Sequence, residues 1–243
     1  MEFKKFKKIS KLKYGMSVKS DGAMELAGGN LAFADNRRKF FLKQGINLKY
    51  IVTPKLTHSA SVLRVDAKKR GEIISETDGL VTSTFGLFLT VTVADCFPVY
   101  FYQQSSNTIG LAHSGWRGTV NNIAGQAVKA IAGYPKSIIA GIGPGIQCCH
   151  FEIKNDILEK FSGYPEAISK QGGKIFVDLP KIISKQLVTS GLIAKNIESC
   201  GECTFCQKEK YFSFRRDKPT NIEAMIAYIG LIKNPLPKSL NLL

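Results

Sequence analysis

The stretch between residues 86 and 112 carries the strongest structural pattern in this sequence. Residues 86–93 (GLFLTVTV) are rich in β-branched and aromatic side chains, which is typical of a buried strand. Residues 99–103 and 108–112 are also strand-like, and the polar residues 105–107 between them indicate a turn. The stretch therefore predicts three buried strands close together along the chain.

Chemically versatile side chains stand at the ends of these strands. The two blocks are ADCFPV at residues 94–99 and AHSGWRG at residues 112–118, and each begins where a strand stops. Together they contain Asp95, Cys96, His113 and Arg117. Because reactive residues on rigid strand ends are typical of functional sites, we predict that this region carries the chemistry.

The remainder of the chain alternates between helical and strand-like segments without an internal repeat. Helices are predicted over residues 36–42, 118–132 and 155–161, and after Asp178, a capping residue followed by Pro180 and ended by Gly191. Further strands are predicted at residues 50–53, 57–65, 138–142, 174–177 and 222–231. Residues 212–217 are predicted to form a strand with a buried ion pair and are not favoured as a second phosphate site. This order favours the α/β class, as a single layered domain with a mixed β-sheet flanked by helices. We expect one catalytic domain over residues 1–243, with a variable basic segment at residues 1–30.

Composition narrows the classes of function. The chain has 34 basic and 19 acidic residues, a net charge of +15, and the excess is spread along the sequence. A lysine-rich solvated surface explains that excess better than nucleic-acid binding, although it would also attract anionic metabolites. No apolar run is long enough to span a membrane, and no signal peptide is apparent, so we expect a cytoplasmic protein with no membrane partner.

Two kinds of chemistry fit Cys96 and His113. With His58, they form a set of one thiolate and two imidazoles, the number of protein ligands that a catalytic zinc typically has. Alternatively, Cys96 is a nucleophile, His113 its base, and Asp95 or another acid orients the base. The residues alone do not separate these hypotheses, since both need the same two side chains in contact.

The six cysteines raise a separate question about metal binding. Cys200, Cys203 and Cys206 have the spacing of part of a zinc or iron–sulfur site, which Cys148 or Cys149 could complete. A packing role for Cys203 beside the active site is the favoured interpretation. His150 is not expected to be a ligand.

Five motifs, in order along the chain, resemble the YfiH-type family, also called the laccase-domain or purine nucleoside phosphorylase family. They are DGLVT at residues 78–82, ADCFPV at 94–99, AHSGWRG at 112–118, IGPGI at 142–146, and CT at 203–204 followed by FSFRRD at 212–217. The resemblance implies an α/β fold and a catalytic zinc held by His58, Cys96 and His113. It also implies phosphorolysis of adenosine, inosine and methylthioadenosine, together with deamination of adenosine.

The resemblance also suggests residues for the substrates, purine nucleosides and phosphate. Arg37 matches an Asn-Arg helix start and is the candidate phosphate clamp, because a guanidinium donates two parallel hydrogen bonds; Arg117 is the second candidate. Trp116 could stack on a purine or pack beneath the His113 turn. The sequence departs from the family pattern at the first ligand, where Leu-Thr-His58-Ser replaces Gln-x-His-Gly.

Three alternatives remain at this point. The first is a cysteine hydrolase or amidase acting on a peptidoglycan precursor or peptide. The second is a copper-dependent polyphenol oxidase, since copper also accepts imidazole and thiolate, although a multicopper cluster needs more than the three histidines present. The third is a basic protein associated with nucleic acid.

Overall fold

The three strands predicted between residues 86 and 112 form the centre of the molecule. The computed structural model describes residues 1–26 and 30–233, so residues 27–29 and 234–243 of the predicted domain lie outside the described residues. Strands β6 (Phe88–Val93), β7 (Phe97–Gln103) and β8 (Thr108–Ser114) are buried along their whole length. The prediction of buried strands is confirmed.

β7 and β8 lie in a six-stranded mixed sheet. Its strand order is β13 (Ile197–Ser199), β9 (Ile138–Ile142), β7, β8, β5 (Gly79–Thr82) and β3 (Val62–Arg64). The four central strands run antiparallel to one another, whereas the edge strands β13 and β3 pair in parallel with β9 and β5. This sheet places the ends of β7 and β8 side by side.

β6 belongs to a second, five-stranded sheet, although it directly precedes β7 in the chain. The order of this sheet is β1 (Leu12–Met16), β14 (Met225–Leu231), β6, β2 (Ile51–Pro54) and β4 (Ile73–Ile74). A third, antiparallel sheet contains β10 (Glu152–Ile153), β12 (Lys174–Val177) and β11 (Ile168–Gln171). The α/β class with mixed sheets is confirmed, but within residues 1–26 and 30–233 the predicted single sheet divides into three.

The physical reason for the division lies between β6 and β7. Asp95 has a φ of 80°, in the left-handed region that a non-glycine residue rarely adopts, and the chain leaves one sheet and enters the other there. Alternate side chains of β7 then face different layers. Tyr100 and Tyr102 pack towards β6, whereas Val99 and Phe101 pack in the core with the helices.

Helices pack against both large sheets. They are α1 (Lys4–Lys7), α2 (Leu31–Lys43), α3 (Trp116–Val120), α4 (Ile123–Ile131), α5 (Asn155–Leu158), α6 (Leu179–Thr189) and α7 (Phe214–Asp217). Helices α4 and α6 share a core with the six-stranded sheet, and Phe40 and Phe41 of α2 pack on the five-stranded sheet. The helix predicted over residues 118–132 is broken in two at Asn122, whose φ is 60° and whose side chain accepts a hydrogen bond from the Gly125 amide at 3.1 Å. The local cap therefore starts a new helix.

Two further predictions have opposite outcomes. The boundaries of α6 are confirmed, since Asp178 accepts a hydrogen bond from the Lys181 amide at 2.9 Å and Gly191 follows the end at a φ of 98°. The strand predicted at residues 212–217 is wrong. Its last four residues form helix α7, because the Ser213 hydroxyl accepts a hydrogen bond from the Arg216 amide at 3.2 Å and so favours a helical turn.

The basic N-terminal segment is built into the fold. Phe3 and Phe6 are each 1% exposed, and β1 pairs with β14 along its full length. Among the described residues, no helix has both the length and the apolar character needed to cross a membrane.

Candidate active site

The candidate site lies where the chain passes between the two large sheets. The strained Asp95 is fixed there by two hydrogen bonds: its carboxylate accepts from the Thr204 hydroxyl at 2.6 Å and from the Arg215 amide at 2.7 Å. These bonds oppose the cost of the left-handed backbone, which is on the order of 1 to 3 kcal/mol. The next residue, Cys96, is thereby held at the start of β7.

Strand pairing brings His113 to Cys96. His113 lies in β8 opposite Pro98, two residues after Cys96. His58 comes from the loop before β3, and its φ of 58° is also left-handed. The imidazole nitrogens and the thiol sulfur lie within 4.8 Å of one another, and the two imidazole rings meet edge to face with centroids 5.0 Å apart. The structure thus brings together the three side chains of the predicted metal set.

A buried carboxylate, Asp78, positions both histidines. Its Oδ1 atom lies 3.1 Å from His113 Nδ1 and accepts a hydrogen bond from the His58 backbone amide at 2.9 Å. Its Oδ2 atom accepts from the backbone and hydroxyl groups of Thr57 and Ser59 at 2.8 to 3.2 Å. Asp78 is fully buried, so the loop that carries His58 and the ring of His113 are both fixed to one carboxylate.

The charges in this cluster stabilise one another. Burial alone would raise the pKa of Cys96, but His113 and His58 outweigh burial and lower it to about 7. Burial alone would lower the pKa of His113, but Cys96 and Asp78 raise it to about 10. Hydrogen bonds from His113 and Ser59 likewise hold the pKa of Asp78 well below its ordinary value, despite burial. Without metal, the cluster therefore favours a thiolate beside an imidazolium.

The donor set fits a divalent metal ion. One thiolate and two imidazoles are the ligand types of catalytic zinc, and a carboxylate on the second nitrogen of a ligating histidine is the usual support for such a ligand. Gly115 adds an independent indication of crowding, because a Cβ atom there would lie 2.8 Å from Cys96 Sγ and 3.5 Å from His58 Cδ2. The chain therefore keeps its backbone close against the three ligands.

A cavity of about 390 Å³ opens in front of the three ligands. Ile146, Phe151 and Trp116 are among the side chains that give it a largely apolar wall. Two exposed arginines reach the same cavity: Arg117 lies over the Trp116 ring at 4.4 Å, and Arg215 lies over the Phe151 ring at 5.5 Å. The volume falls within the usual range for small-molecule sites, roughly 300 to 1,000 Å³.

Two of the predicted site residues have other tasks. Arg37 is not among the residues that line this cavity; one of its nitrogens donates to the backbone carbonyls of Met24 and Glu25 at 3.0 and 2.6 Å, so that part of its guanidinium supports the segment at residues 24–25. Asp95 lines the cavity, but its carboxylate is engaged by Thr204 and the Arg215 amide. The position expected of Asp95, against the His113 ring, is occupied by Asp78.

Sequence reasoning missed Asp78, Gly115 and Arg215 as site residues. Asp78 stands in the DGLVT motif, which had no assigned role in the site. Arg215 stands in the FSFRRD motif, which was interpreted as a strand with a buried ion pair and not as a phosphate site. Gly115 lies in the AHSGWRG block between two noted residues. Only the three-dimensional contacts reveal what these residues do.

Comparison with known proteins identifies the family. A family model described as multi-copper polyphenol oxidoreductase laccase matches residues 19–232. The chain belongs to this family. It is 34% identical over 181 residues to a purine nucleoside phosphorylase of Xylella fastidiosa, an alignment covering 71% of this chain and 70% of that protein. It is 30% identical over 202 residues to "Adenosine deaminase RL5" of an unknown prokaryotic organism, covering 76% of this chain and 77% of that protein.

Solved structures agree with this assignment. The crystal structure of YlmD from Geobacillus stearothermophilus has a TM-score of 0.86 at 28% identity, and the match covers 92% of this chain and 93% of that chain. The structure of the Bacillus licheniformis protein YfiH has a TM-score of 0.85 at 28% identity, covering 90% and 92%. The predicted membership of the YfiH-type family is confirmed. The family description mentions several copper ions, yet this chain has three histidines, of which two lie in the cluster.

Proposed function

We propose that this protein is a zinc-dependent purine nucleoside phosphorylase that accepts adenosine, inosine and methylthioadenosine and also deaminates adenosine. The observation that carries the proposal is the convergence of His58, Cys96 and His113 at a largely apolar cavity that two arginines also reach. The names of the relatives, purine nucleoside phosphorylase and adenosine deaminase, support the same substrates.

Each part of the cavity has a task in this proposal. The apolar wall around Trp116 and Phe151 suits a purine ring, which gains from aromatic contact and from burial. Arg117 and Arg215 suit phosphate, because guanidinium groups form paired hydrogen bonds with its oxygens. His58, Cys96 and His113 would hold zinc, which when bound supplies a Lewis acid for polarising substrate oxygen or water. Asp78 keeps the His113 ring oriented and holds the loop that carries His58.

A cysteine hydrolase is the second candidate, because Cys96 contacts His113 and His113 contacts Asp78. This is the arrangement of a nucleophile, its base and an orienting acid. His58 favours the metal instead. A nucleophilic triad needs no second imidazole against the thiol, whereas a metal site does. Metal-free protein that hydrolyses an amide and is inactivated by alkylation of Cys96 would favour the hydrolase.

The chain's architecture and its thiols bear on two further proposals. We place the protein in the cytoplasm, where thiols stay reduced and able to bind metal. We also propose that residues 1–243 act as one catalytic domain, because the N-terminal strand β1 completes the sheet through β14.

Two assays separate the proposed reactions. Inosine with phosphate reports phosphorolysis alone, since inosine carries no amino group, and adenosine in phosphate-free buffer reports deamination.

We expect Arg117→Ala to reduce phosphorolysis about 10- to 100-fold, the value of one charged hydrogen bond in the transition state, and to change deamination far less. Arg37→Ala should instead lower both activities together with the melting temperature. Arg38→Ala is the matched control, because Arg38 is exposed and pairs with Asp35.

Absence of nucleoside turnover by zinc-loaded protein would reject the proposal as a whole. Unchanged phosphorolysis in both Arg117→Ala and Arg215→Ala would reject the phosphate site alone.

A further inference from the structure

A second group of metal-binding side chains lies outside the candidate active site. Cys149, His150, Cys203 and Cys206 bring three sulfurs and one imidazole nitrogen within 4.8 Å of one another. Cys149 Sγ lies 3.7 Å from both Cys203 Sγ and Cys206 Sγ. His150 Nδ1 lies 3.2 Å from Cys149 Sγ and 3.3 Å from Cys206 Sγ. The four atoms therefore form a compact cluster of possible metal ligands.

These separations match tetrahedral zinc. Four ligands at zinc–sulfur distances of about 2.3 Å place two sulfurs about 3.8 Å apart, and the shorter zinc–nitrogen bond draws an imidazole nitrogen closer. A disulfide requires about 2.05 Å between sulfurs, and all six cysteines are free. Three cysteines and one histidine are one of the ordinary ligand sets of structural zinc.

The backbone fixes the ligands before any ion binds. Gly145 and Cys203 form a parallel bridge, reinforced by a hydrogen bond from the Thr204 amide to the Gly145 carbonyl at 3.1 Å. The Gln147 amide donates to Cys203 Sγ at 3.5 Å. The His150 ring stacks on Phe205, with centroids 4.0 Å apart and planes 16° from parallel. Two chain segments some 54 residues apart in sequence are thus held in register at the cluster.

Exposure also points to a ligand. Cysteine is among the residues most often buried, yet Cys149 and Cys206 are exposed at the surface. Burial in a hydrophobic core therefore does not account for them. The other members of the cysteine pattern lie elsewhere: Cys200 is half-buried and packs against the core between the large sheets, and Cys148 stays outside the cluster. His150, which the sequence did not favour as a ligand, completes the set.

We propose that Cys149, His150, Cys203 and Cys206 bind a structural zinc ion that is separate from the metal at His58, Cys96 and His113. Protein atoms fill all four positions, which leaves no place for a substrate and distinguishes a structural site from a catalytic one. On binding, the thiols lose their protons to solvent and the zinc is held by thiolates and a neutral imidazole.

The zinc would hold together the two chain segments behind the cavity, which carry its ligands at residues 149–150 and 203–206. Thr204 directly follows the ligand Cys203, and its hydroxyl donates to Asp95, the residue that places Cys96. On the other segment, Phe151 directly follows the ligand His150 and lines the cavity. A zinc ion at this position would therefore stabilise one wall of the cavity without touching the substrate.

Zinc stoichiometry tests the proposal without reference to activity. Wild-type protein, reduced and equilibrated with excess zinc, is desalted and measured by elemental analysis. We expect two zinc ions per chain, one in Cys206→Ser, one in Cys96→Ser and none in the double variant. Cys148→Ser is the matched control, because it removes an exposed cysteine adjacent to the cluster and should retain two.

Cobalt substitution identifies the ligands. In the Cys96→Ser variant, bound cobalt should show strong thiolate-to-cobalt charge-transfer absorption from the remaining site, and His150→Ala should weaken its binding at least tenfold. Thermal melting of each variant shows whether it is folded, and Cys149→Ser replaces Cys206→Ser if the latter is not. Equal zinc content in folded Cys206→Ser and Cys148→Ser would overturn the proposal. If wild-type protein holds one zinc ion, which Cys206→Ser removes and Cys96→Ser does not, the result would contradict only the proposed function.

Discussion

Asp78→Asn tests whether one carboxylate assembles the candidate active site. The substitution keeps the shape of the side chain but replaces one accepting oxygen with an NH₂ donor. In the structure, Asp78 Oδ1 accepts hydrogen bonds from the His58 amide and His113 Nδ1, and Oδ2 accepts from Thr57 and Ser59. In either orientation of the amide, the new NH₂ group therefore faces groups that also donate.

The magnitude follows from the bonds that are lost. In the less costly orientation, the amide nitrogen replaces Oδ1 and removes two hydrogen bonds to a charged group, each worth about 1.5 to 3 kcal/mol. We expect the free energy of unfolding to fall by about 3 to 6 kcal/mol, a large part of the roughly 5 to 15 kcal/mol typical of a folded protein. His113 can recover one bond only by moving its proton to the other ring nitrogen, which then cannot bind metal. Zinc affinity should fall about 10- to 100-fold.

Urea unfolding of metal-free protein measures the first effect, and competition with a chromophoric chelator measures the second. The affinity is measured in a Cys206→Ser background, so that only the site at Cys96 reports. Asp66→Asn is the matched control, because exposed Asp66 also accepts a backbone hydrogen bond, from the Lys68 amide at 2.8 Å. Equal zinc affinity in the Asp78→Asn and Asp66→Asn variants would refute the role assigned to Asp78.

Two further predictions concern the same cluster. Gly115→Ala should lower zinc affinity at least tenfold, because the added Cβ would lie 2.8 Å from Cys96 Sγ. Gly163→Ala is the control, since it adds a Cβ in open space and should bind zinc normally. Equal zinc affinities of the two variants in a chelator titration would contradict the prediction. In metal-free protein, iodoacetamide should alkylate Cys96 with half-maximal rate near pH 7, because the thiolate is the reactive form and its neighbouring imidazoles lower its pKa to about 7. Peptide mass spectrometry at a series of pH values, with free cysteine as the reference, measures this, and a midpoint equal to that of free cysteine would contradict the contact with His113.

The strand-end pattern predicted the meeting of Cys96 and His113 because both depend on local features. Strands of buried character separated by short turns pair with each other, and their ends then lie together. The predicted single sheet failed at Asp95, where a left-handed residue redirects the chain. That conformation depends on Thr204 and the Arg215 amide, more than 100 residues away in sequence, which no local pattern reveals.

The rest of the site also depends on distant contacts. The motif predicted a phosphate ligand at Arg37, and the structure adds that one of its nitrogens donates to the carbonyls of Met24 and Glu25, a contact that the motif does not reveal. The regular spacing of Cys200, Cys203 and Cys206 suggested that they act together. The structure instead separates Cys200 from the others, since its amide continues the β-sheet pairing through the Ile142 carbonyl at 3.0 Å. Regular spacing along the chain does not determine whether a cysteine side chain points towards the other cysteines or into the core.

The allocation of the three histidines has a consequence for proton transfer. Imidazole is the side chain that ordinarily exchanges protons near neutral pH. His58 and His113 lie in one cluster and His150 in the other, so with both metals bound the chain has no imidazole left over to protonate a departing purine. Protons would have to come from phosphate, from water or from a carboxyl group at the cavity. Phosphate, water or a carboxyl group at the cavity, and not an imidazole, would then set how the reaction depends on pH.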